Sequence, residues 1–274
     1  MNNKQLITSF LAIFLLVLPV FVPGQCFTGN TNFGPGEEIT YEVAYNVGPI
    51  WMEAGLVTFA VKPDNTVAKD AWHFKSTGIT YPAYDLFFKV RDYFDSWIDP
   101  ITFHSYEFRR YTYEGGYTLL NTLHFDHQRH MIISNTKSNN NPQRHDTLDI
   151  KPCTFDMLSA VYYARTLNIS GLKKDEKIPI RLIIDDSTYL IHIRFSGKEI
   201  IENRDGNKYR CIKFAAKMIQ GTIFRGDEDV VVWVTDDDDR IPIYIEAKIV
   251  VGSVKAYLKS AKGLRNPMAA KVKN

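Results

Sequence analysis

Apolar and polar side chains alternate along most of this sequence, and the alternation constrains the fold more than any other feature. Near the start, Ile39, Tyr41 and Val43 are separated by Thr40 and Glu42. A period of two is typical of a β-strand with one buried face. Further segments of this kind lie at about 57–61, 71–79, 86–98, 101–112, 117–125, 130–135, 178–184, 188–195, 230–235, 241–247 and 249–258. The sequence therefore predicts a mainly β protein.

Short turn sequences separate these segments. Glu114-Gly115-Gly116, Asp185-Asp186-Ser187 and Asp205-Gly206 are typical of hairpin turns, which join antiparallel neighbours. The pattern predicts an antiparallel sheet that is either open or closed in a barrel-like form. No long linker and no repeat of fixed period interrupts the series, so we expect a single domain over residues 30–260.

One segment has helical rather than strand periodicity. Met157, Val161 and Ala164 follow one another at helical spacing, with Thr154 as a possible N-cap. We predict the principal helix at about residues 155–168. Arg165 lies on this helix and is expected to turn toward the sheet. A buried arginine needs a partner, for which Glu199 and Asp156 are the candidates.

The N-terminus has the order of regions found in a secretory signal peptide. Lys4 precedes an apolar stretch over residues 6–22, and Val22-Pro23-Gly24 suits cleavage after Gly24. We expect residues 1–24 to be removed and the protein to be exported. A membrane anchor is one alternative, but it needs about 20 apolar residues. A lipoprotein with Cys26 at its start is another, although Gln25 precedes that cysteine.

Charge and cysteine content narrow the possible partners. The formal net charge is +2, whereas a nucleic-acid binder normally has a basic excess, so no nucleic-acid partner is expected. Residues 261–274 lose the strand pattern and are predicted to be a flexible basic tail. Such a tail can touch an anionic membrane or stay solvated.

The chain has three cysteines, Cys26, Cys153 and Cys211. One pair of them can form a disulfide bond, and their spacing does not show which pair.

The segment from Tyr81 to Trp97 is the best candidate for a ligand site. Phe94 and its alternate neighbours form an apolar face, interrupted by Asp92 and Ser96. The opposite face presents Arg91, Tyr93 and Trp97, together with Lys89 and Asp95. Rings and charges on one exposed face can stack on a sugar or hold an amphipathic ligand, and these three residues are our predicted binding residues. The alternative is an ordinary strand in which Arg91 pairs with Asp95.

Two groups resemble metal sites, but neither is predicted to be one. A two-residue hairpin loop at His127-Gln128 would put His124 and His130 on opposite faces, whereas a three-residue loop would put them on one face. Asp236 to Asp239 lacks the glycine and the distal glutamate of a calcium-binding loop, which favours a charged turn. There is no G-x-S-x-G, H-E-x-x-H or phosphate-binding glycine loop. We predict no catalytic residue, metal or cofactor.

Several short strings occur together in a recognisable order. They are Phe33-Gly34-Pro35-Gly36-Glu37, Asp156-Met157-Leu158-Ser159-Ala160, Gly197-Lys198-Glu199, Val232-Trp233-Val234, Asp238 to Pro242 and Gly252-Ser253-Val254. This pattern resembles DUF3108, a family of exported proteins of Gram-negative bacteria. The resemblance implies a β-rich, barrel-like fold and a location in the periplasm or cell envelope. It implies no activity.

Two functional hypotheses follow. The first is a non-enzymatic binding or assembly module of the envelope, whose partner is a lipid, a glycan-like ligand or an envelope protein. The alternative is an envelope hydrolase that uses Asp92, Asp95 and Asp99, since paired carboxyl groups near aromatic rings also serve glycoside hydrolysis. Carboxyl groups brought together in an open cleft would favour the alternative.

Overall fold

The structure is a computed structural model that describes residues 27, 29–47, 50–217, 229–248 and 252–272. The predicted signal peptide and Cys26 lie outside these residues. The described strands are β1 (Glu38–Val47), β2 (Ile50–Asp64), β3 (Ala71–Thr80), β4 (Val90–Ile98), β5 (Ser105–Glu114), β6 (Tyr117–Asp126), β7 (Met131–Ser138), β8 (Arg144–Asp149), β9 (Thr154–Phe155), β10 (Lys177–Ile184), β11 (Ser187–Glu202), β12 (Lys208–Lys217), β13 (Asp229–Thr235), β14 (Pro242–Lys248) and β15 (Ser253–Lys262). The described helices are α1 (Pro82–Asp85) and α2 (Met157–Thr166), and neither is long and apolar enough to cross a membrane.

All 15 strands belong to one sheet, in the order β8-β7-β6-β5-β4-β3-β2-β1-β15-β14-β13-β12-β11-β10-β9. Neighbours are antiparallel except for the parallel pair of β9 and β10. The prediction of a mainly β, antiparallel fold is confirmed, and the sheet is open, with β8 and β9 as its edges. Since β1 pairs with β15, the first and last strands meet in the middle of the sheet.

The sheet is rolled, so its two edges come together. Only residues 150–153 connect β8 to β9, so this short link keeps the two edge strands close together in space. The turn between β10 and β11 contacts the opposite half of the sheet: the Ser134 hydroxyl donates to the Asp185 carbonyl (2.7 Å), and Arg144 pairs with Asp186 (2.6 Å). The β10–β11 hairpin therefore packs on what we call the inner face of β4–β8.

Helix α2 lies inside the roll and fills it with aromatic side chains. Tyr162 is buried and stacks on Phe74 of β3, with ring centroids 4.0 Å apart. Phe33, which precedes β1, packs on the same Tyr162 ring at 5.0 Å and is fully buried. Buried rings of this size contribute much of a core's stability. The predicted helix at 155–168 is confirmed, with ends at residues 157 and 166.

The N-terminus of α2 is capped by Asp156, and the expectation that Thr154 caps the helix is corrected. One carboxylate oxygen of the buried Asp156 accepts the backbone N–H of Ser159 (2.8 Å). The other accepts the hydroxyls of Ser96 (2.7 Å) and Ser105 (2.5 Å) on β4 and β5. Thr154 belongs to β9 instead. The cap thus also fastens the helix to the inner face of the sheet.

The other end of α2 is fastened by a buried ion pair. The Arg165 guanidinium donates to both Glu37 carboxylate oxygens (2.6 and 2.8 Å), and both residues are buried. It also donates twice to the Asp239 carbonyl (3.1 and 2.9 Å). The expected partners, Glu199 and Asp156, are corrected to Glu37, because the segment before β1 crosses the end of α2. Three distant parts of the chain meet at this guanidinium.

The C-terminal segment is packed through residue 272, which corrects the expectation of a flexible tail over 261–274. Ala270 is fully buried. Its carbonyl accepts the Arg210 N–H (2.9 Å), and the Val272 N–H donates to the Lys208 carbonyl (2.8 Å). The strand pattern is lost here because the segment docks on β12 through irregular backbone hydrogen bonds. The predicted domain limits of 30–260 remain a prediction.

The cysteines have separate roles. Cys153 is disulfide-bonded, whereas Cys211 is a free thiol. Cys211 belongs to a buried apolar cluster, separate from the one around α2, that also contains Tyr209 and Trp233. Burial raises the pKa of the Cys211 thiol to about 12. The thiolate is the nucleophilic form, so this cysteine has an ordinary packing role.

We predict that Arg165→Met lowers the free energy of unfolding by about 3–5 kcal/mol, because Glu37 is left buried and unpaired. Urea denaturation of the purified protein measures this loss. The double variant with Glu37→Gln should lose less than the sum of the two single changes. Arg129→Ala is the control, since Arg129 is 76% exposed and pairs with Asp126 on the surface, and it should change stability by no more than about 0.5 kcal/mol. Equal losses in Arg165→Met and Arg129→Ala would contradict the prediction.

Candidate functional site

The predicted binding residues share the outer face of β4, where Trp97 is buried and the Arg91 side chain is only 24% exposed. Tyr93 is exposed and lies beside Tyr111 of β5, with ring centroids 6.2 Å apart. Trp97 is buried between the His73 ring at 4.5 Å and the Arg109 guanidinium at 5.0 Å. The Trp97 ring is therefore already in contact with His73 and Arg109 of the protein and is not free to stack on a ligand. Ligand binding at this face stays a prediction.

The charged members of this face are also engaged. Arg91 donates to the Asp85 carboxylate (2.5 Å) at the end of α1. Asp95 bonds with His73 (2.7 Å), so the alternative pairing of Arg91 with Asp95 is wrong. The Arg91 guanidinium holds the pKa of the Asp85 carboxyl below its usual value. These contacts fix the connection between β3 and β4 and leave Arg91 a structural role.

The carboxylates of the hydrolase hypothesis do not form a cluster. Asp92 lies on the inner face of β4, opposite the buried Thr112, whereas Asp95 lies on the outer face with His73. Asp99 accepts the backbone N–H of Ile101 (2.7 Å) and caps the loop after β4. The three groups are spread over both faces and one end of the sheet. Joint acid and base catalysis by this trio is therefore not supported.

The histidine hairpin has neither the two-residue nor the three-residue loop considered from the sequence. Asp126 pairs with Met131, so the loop comprises residues 127–130. The His127 ring bonds to the Ser105 carbonyl (2.7 Å), and His124 lies 3.9 Å from Glu107 on the outer face. Among the described residues, no three histidine, cysteine or carboxylate side chains are placed to share a metal ion.

The aspartate run before β14 is a structural turn. Asp236 bonds with Lys198 (2.9 Å). Asp237 accepts the Thr235 hydroxyl (2.6 Å), and Asp239 accepts the Asn266 side-chain amide (2.6 Å). The carboxylates point to different partners rather than toward one point. This agrees with the charged turn that the sequence favours over a calcium site.

The inner face of β4–β8 carries the strongest candidate site. Paired positions form three successive rows across these strands: Asp92 with Thr112, Arg110 with Asn121 and Thr136, and Phe108 with Leu123, Ser134 and Asp146. The turn at Asp185 of the β10–β11 hairpin lies against the second and third rows. We call the polar members the inner polar cluster: Asp92, Arg110, Thr112, Asn121, Ser134, Thr136, Asp146 and Asp185.

Hydrogen bonds hold the cluster in a defined arrangement. The Asn121 side-chain amide donates to the hydroxyls of Thr136 (2.8 Å) and Ser134 (3.3 Å). Arg110 pairs with Asp185 (3.4 Å). Since Asn121 and Ser134 are fully buried, their polar atoms are removed from bulk solvent. Polar atoms in such an environment normally have partners.

Three acceptor oxygens of the cluster have no partner in the protein. They are Asp92 Oδ1, Asn121 Oδ1 and Asp146 Oδ2. An unpaired buried acceptor costs about 1–3 kcal/mol unless a water or a ligand supplies a donor. As one amide oxygen and two carboxyl oxygens, these atoms can each accept a hydrogen bond from an O–H or N–H group of a ligand. Bound water would satisfy the same atoms.

The cluster has an unusual electrostatic environment. Burial, reinforced by the nearby Glu114 carboxylate, raises the pKa of Asp92 to about 7, although Arg110 opposes the shift. Burial also raises the pKa of Asp185, again against the effect of Arg110. Both carboxyl groups thus lie within the electrostatic reach of Arg110, and carboxyl groups with raised pKa values are found more often at functional sites than elsewhere.

The sequence contained a signal for this site that the prediction did not use. Asp92 and Ser96 interrupt an otherwise apolar face of β4, and Asn121 interrupts the buried series of β6 in the same way. Ser96 bonds with the helix cap, whereas Asp92 and Asn121 face the cluster. A polar residue at a core position of one strand says little about the interior as a whole. Such residues on several neighbouring strands indicate a polar interior.

The raised pKa of Asp92 predicts a pH dependence of stability. In the unfolded chain the pKa of an aspartate is about 3.9, so the folded protein binds the Asp92 proton more tightly than the unfolded chain does. The stability that protonated Asp92 contributes is therefore complete below about pH 4 and is lost as the pH rises through 7. The free energy of unfolding should therefore fall between pH 5 and pH 8, and fall less in Asp92→Asn. Denaturation at both pH values measures the difference, with the exposed Asp149→Asn as control. Equal slopes in all three proteins would refute the assignment.

Comparisons with known proteins agree with the fold. The crystal structure of a β-barrel-like protein of the domain of unknown function DUF1849 from Brucella abortus is similar, with a TM-score of 0.54 and 8% identity, over 83% of this chain and 97% of that chain. At this identity the likeness shows the fold alone. No curated protein matches the chain. The family model DUF3108 matches residues 40–259. Because this match spans most of the sequence, the chain belongs to DUF3108, a family of proteins of unknown function.

Proposed function

We propose that this protein is a non-enzymatic binding module of the bacterial envelope that holds a donor-rich, glycan-like ligand in the inner polar cluster. The three unpaired buried acceptors carry the proposal. A hydroxyl-rich ligand supplies several donors at once, whereas an acyl chain supplies none. The signal-peptide pattern of residues 1–24 supports an envelope location.

The position of the cluster supports ligand entry from one end of the roll. Asp92 lies near the start of β4, and Glu114 ends β5, so both are near the end of the sheet at which β5 and β6 turn. The β10–β11 hairpin stops at Asp185 and covers the deeper part of the inner face. A small polar molecule that enters from this end reaches Asp92 before it reaches Asn121.

A hydrolase that uses Asp92 and Glu114 is the second candidate, and it rests on one observation. Asp92 has a pKa of about 7 beside Glu114, and such a pair can divide the roles of acid and base. These residues lie on adjacent strands, diagonally across the β4–β5 pair. Turnover of a bound glycan, abolished by Glu114→Gln, would select this candidate over simple binding.

The binding proposal predicts that a small polar molecule leaves the cell with the protein. Full-length protein purified from its native envelope should show a mass increment in native mass spectrometry, which denaturation releases. Asn121→Leu should reduce occupancy at least about tenfold, because a bound hydroxyl loses its acceptor. Asn135→Leu is the matched control, since Asn135 lies on the outer face of the neighbouring strand β7. No copurifying molecule in the unaltered protein, or equal occupancy in both variants, would reject the proposal.

Export is tested separately. The mature protein should begin at Gln25 and appear in the periplasmic or envelope fraction. N-terminal sequencing and fractionation measure both. An uncleaved chain in the cytoplasm would contradict the proposed location without touching the binding site.

A further inference from the structure

Two of the three cysteines are in different chemical states. The sequence contains Cys26, Cys153 and Cys211. Cys211 is a buried free thiol, whereas the sulfur atom of Cys153 is part of a disulfide bond. A disulfide needs two sulfur atoms, so the partner of Cys153 is either Cys26 of the same chain or a cysteine of another molecule.

The residue that follows Cys26 packs in the same core that Cys153 contacts. Phe27 is 4% exposed, and its ring stacks on that of Phe103 with the centroids 4.7 Å apart. The Phe103 ring in turn lies 6.2 Å from the ring of Phe155, which follows Cys153 closely in β9. Phe27 belongs to the apolar core around α2, and Cys153 packs against that core. The chain at Phe27 is therefore fixed beside the link between β8 and β9.

We propose that Cys26 and Cys153 form a disulfide bond in the exported protein. The bond closes a covalent loop from residue 26 to residue 153, which contains β1 to β8. It fastens the start of the mature chain to residues 150–153, which connect the two edge strands of the sheet, and so keeps the edges of the roll together. The proposal rests on the proposed envelope location, which supplies an oxidising environment, and it requires no ligand in the inner polar cluster.

The bond forms by exchange with an oxidant that carries a disulfide of its own. One cysteine thiolate attacks a sulfur atom of the oxidant, releases one oxidant thiol and leaves a mixed disulfide. The second cysteine thiolate attacks this mixed disulfide, forms the bond between Cys26 and Cys153 and releases the other oxidant thiol. The oxidant thus gains the two electrons and the two protons that the cysteines lose.

The same bond decides between two chemical fates of Cys26. In the lipoprotein alternative, Cys26 is the first residue of the mature chain and its sulfur atom carries a lipid through a thioether. A sulfur atom in a thioether has no electron pair and proton left to exchange for a disulfide. The disulfide and the lipid therefore exclude each other, and the proposal replaces the lipid anchor by a covalent tie within the protein.

Thiol counting and peptide mapping of the mature protein from its native envelope test the proposal. The protein denatured without reductant should react with a maleimide only at Cys211, and at all three cysteines after reduction. Digestion without reductant should give one peptide pair that joins Cys26 to Cys153 and separates on reduction. A bond from Cys153 to Cys211 or to another molecule, or a lipid on Cys26, would overturn the proposal. Three free thiols in protein from the periplasm would overturn the bond and leave the location intact, whereas reduced protein in the cytoplasm would overturn both.

Serine variants measure what the bond contributes. Cys26→Ser and Cys153→Ser should each lower the Tm by about 5–15 °C, because the unfolded chain is no longer constrained by a long covalent loop. The double variant should lose no more than either single variant, since one bond is lost in all three. Reductant should lower the Tm of the unaltered protein and leave the serine variants unchanged. In the control Cys211→Ala, the reductant should still have its full effect, and a reductant effect that persists in Cys26→Ser would overturn the proposal.

Discussion

The buried pair of Arg165 and Glu37 is the interaction on which the rest of the structure depends. An arginine can be buried only where its charge and its N–H groups are all matched, and here a carboxylate and two carbonyl groups complete the match. These partners come from the segment before β1 and from the turn before β14, and Arg165 itself lies at the end of α2. With Asp156 fixing the other end of the helix to β4 and β5, α2 has one possible position inside the roll. The sheet curls around a helix that is fastened at both ends.

The same arrangement explains why the interior is divided. Around α2 the inner face is aromatic and closely packed, with Phe74 in contact with both Phe103 and Tyr162. Farther along β4–β8, the cover is the tip of the β10–β11 hairpin, which brings carboxylates instead of rings. The side chains beneath it are accordingly polar. A fold whose core is closely packed around α2 can therefore keep a polar cluster farther along the same strands.

Local periodicity predicts most of the strands and the helix, because both are set by which side of each segment is buried. It does not predict β8, β9 or β12. It also placed Arg91, Tyr93 and Trp97 on one face, since parity along a strand does not depend on its neighbours. Periodicity failed for features that depend on distant contacts. The burial of Trp97 depends on His73 and Arg109 from two other strands, and Glu37 reaches Arg165 across 128 positions. The loss of the strand pattern after residue 260 predicts a tail, whereas the backbone of this segment pairs irregularly with β12.

The pairing of β1 with β15 has a kinetic consequence. Glu38 pairs with Lys262, so β1 cannot complete its pairing until β15 is available. Most of the other strands pair with a sequence neighbour through a short turn, which closes small loops at little entropic cost. The two halves of the sheet can thus form separate meanders early, but they join into one sheet only when β1 and β15 meet. Folding of this protein should be limited by that long-range closure rather than by formation of its hairpins.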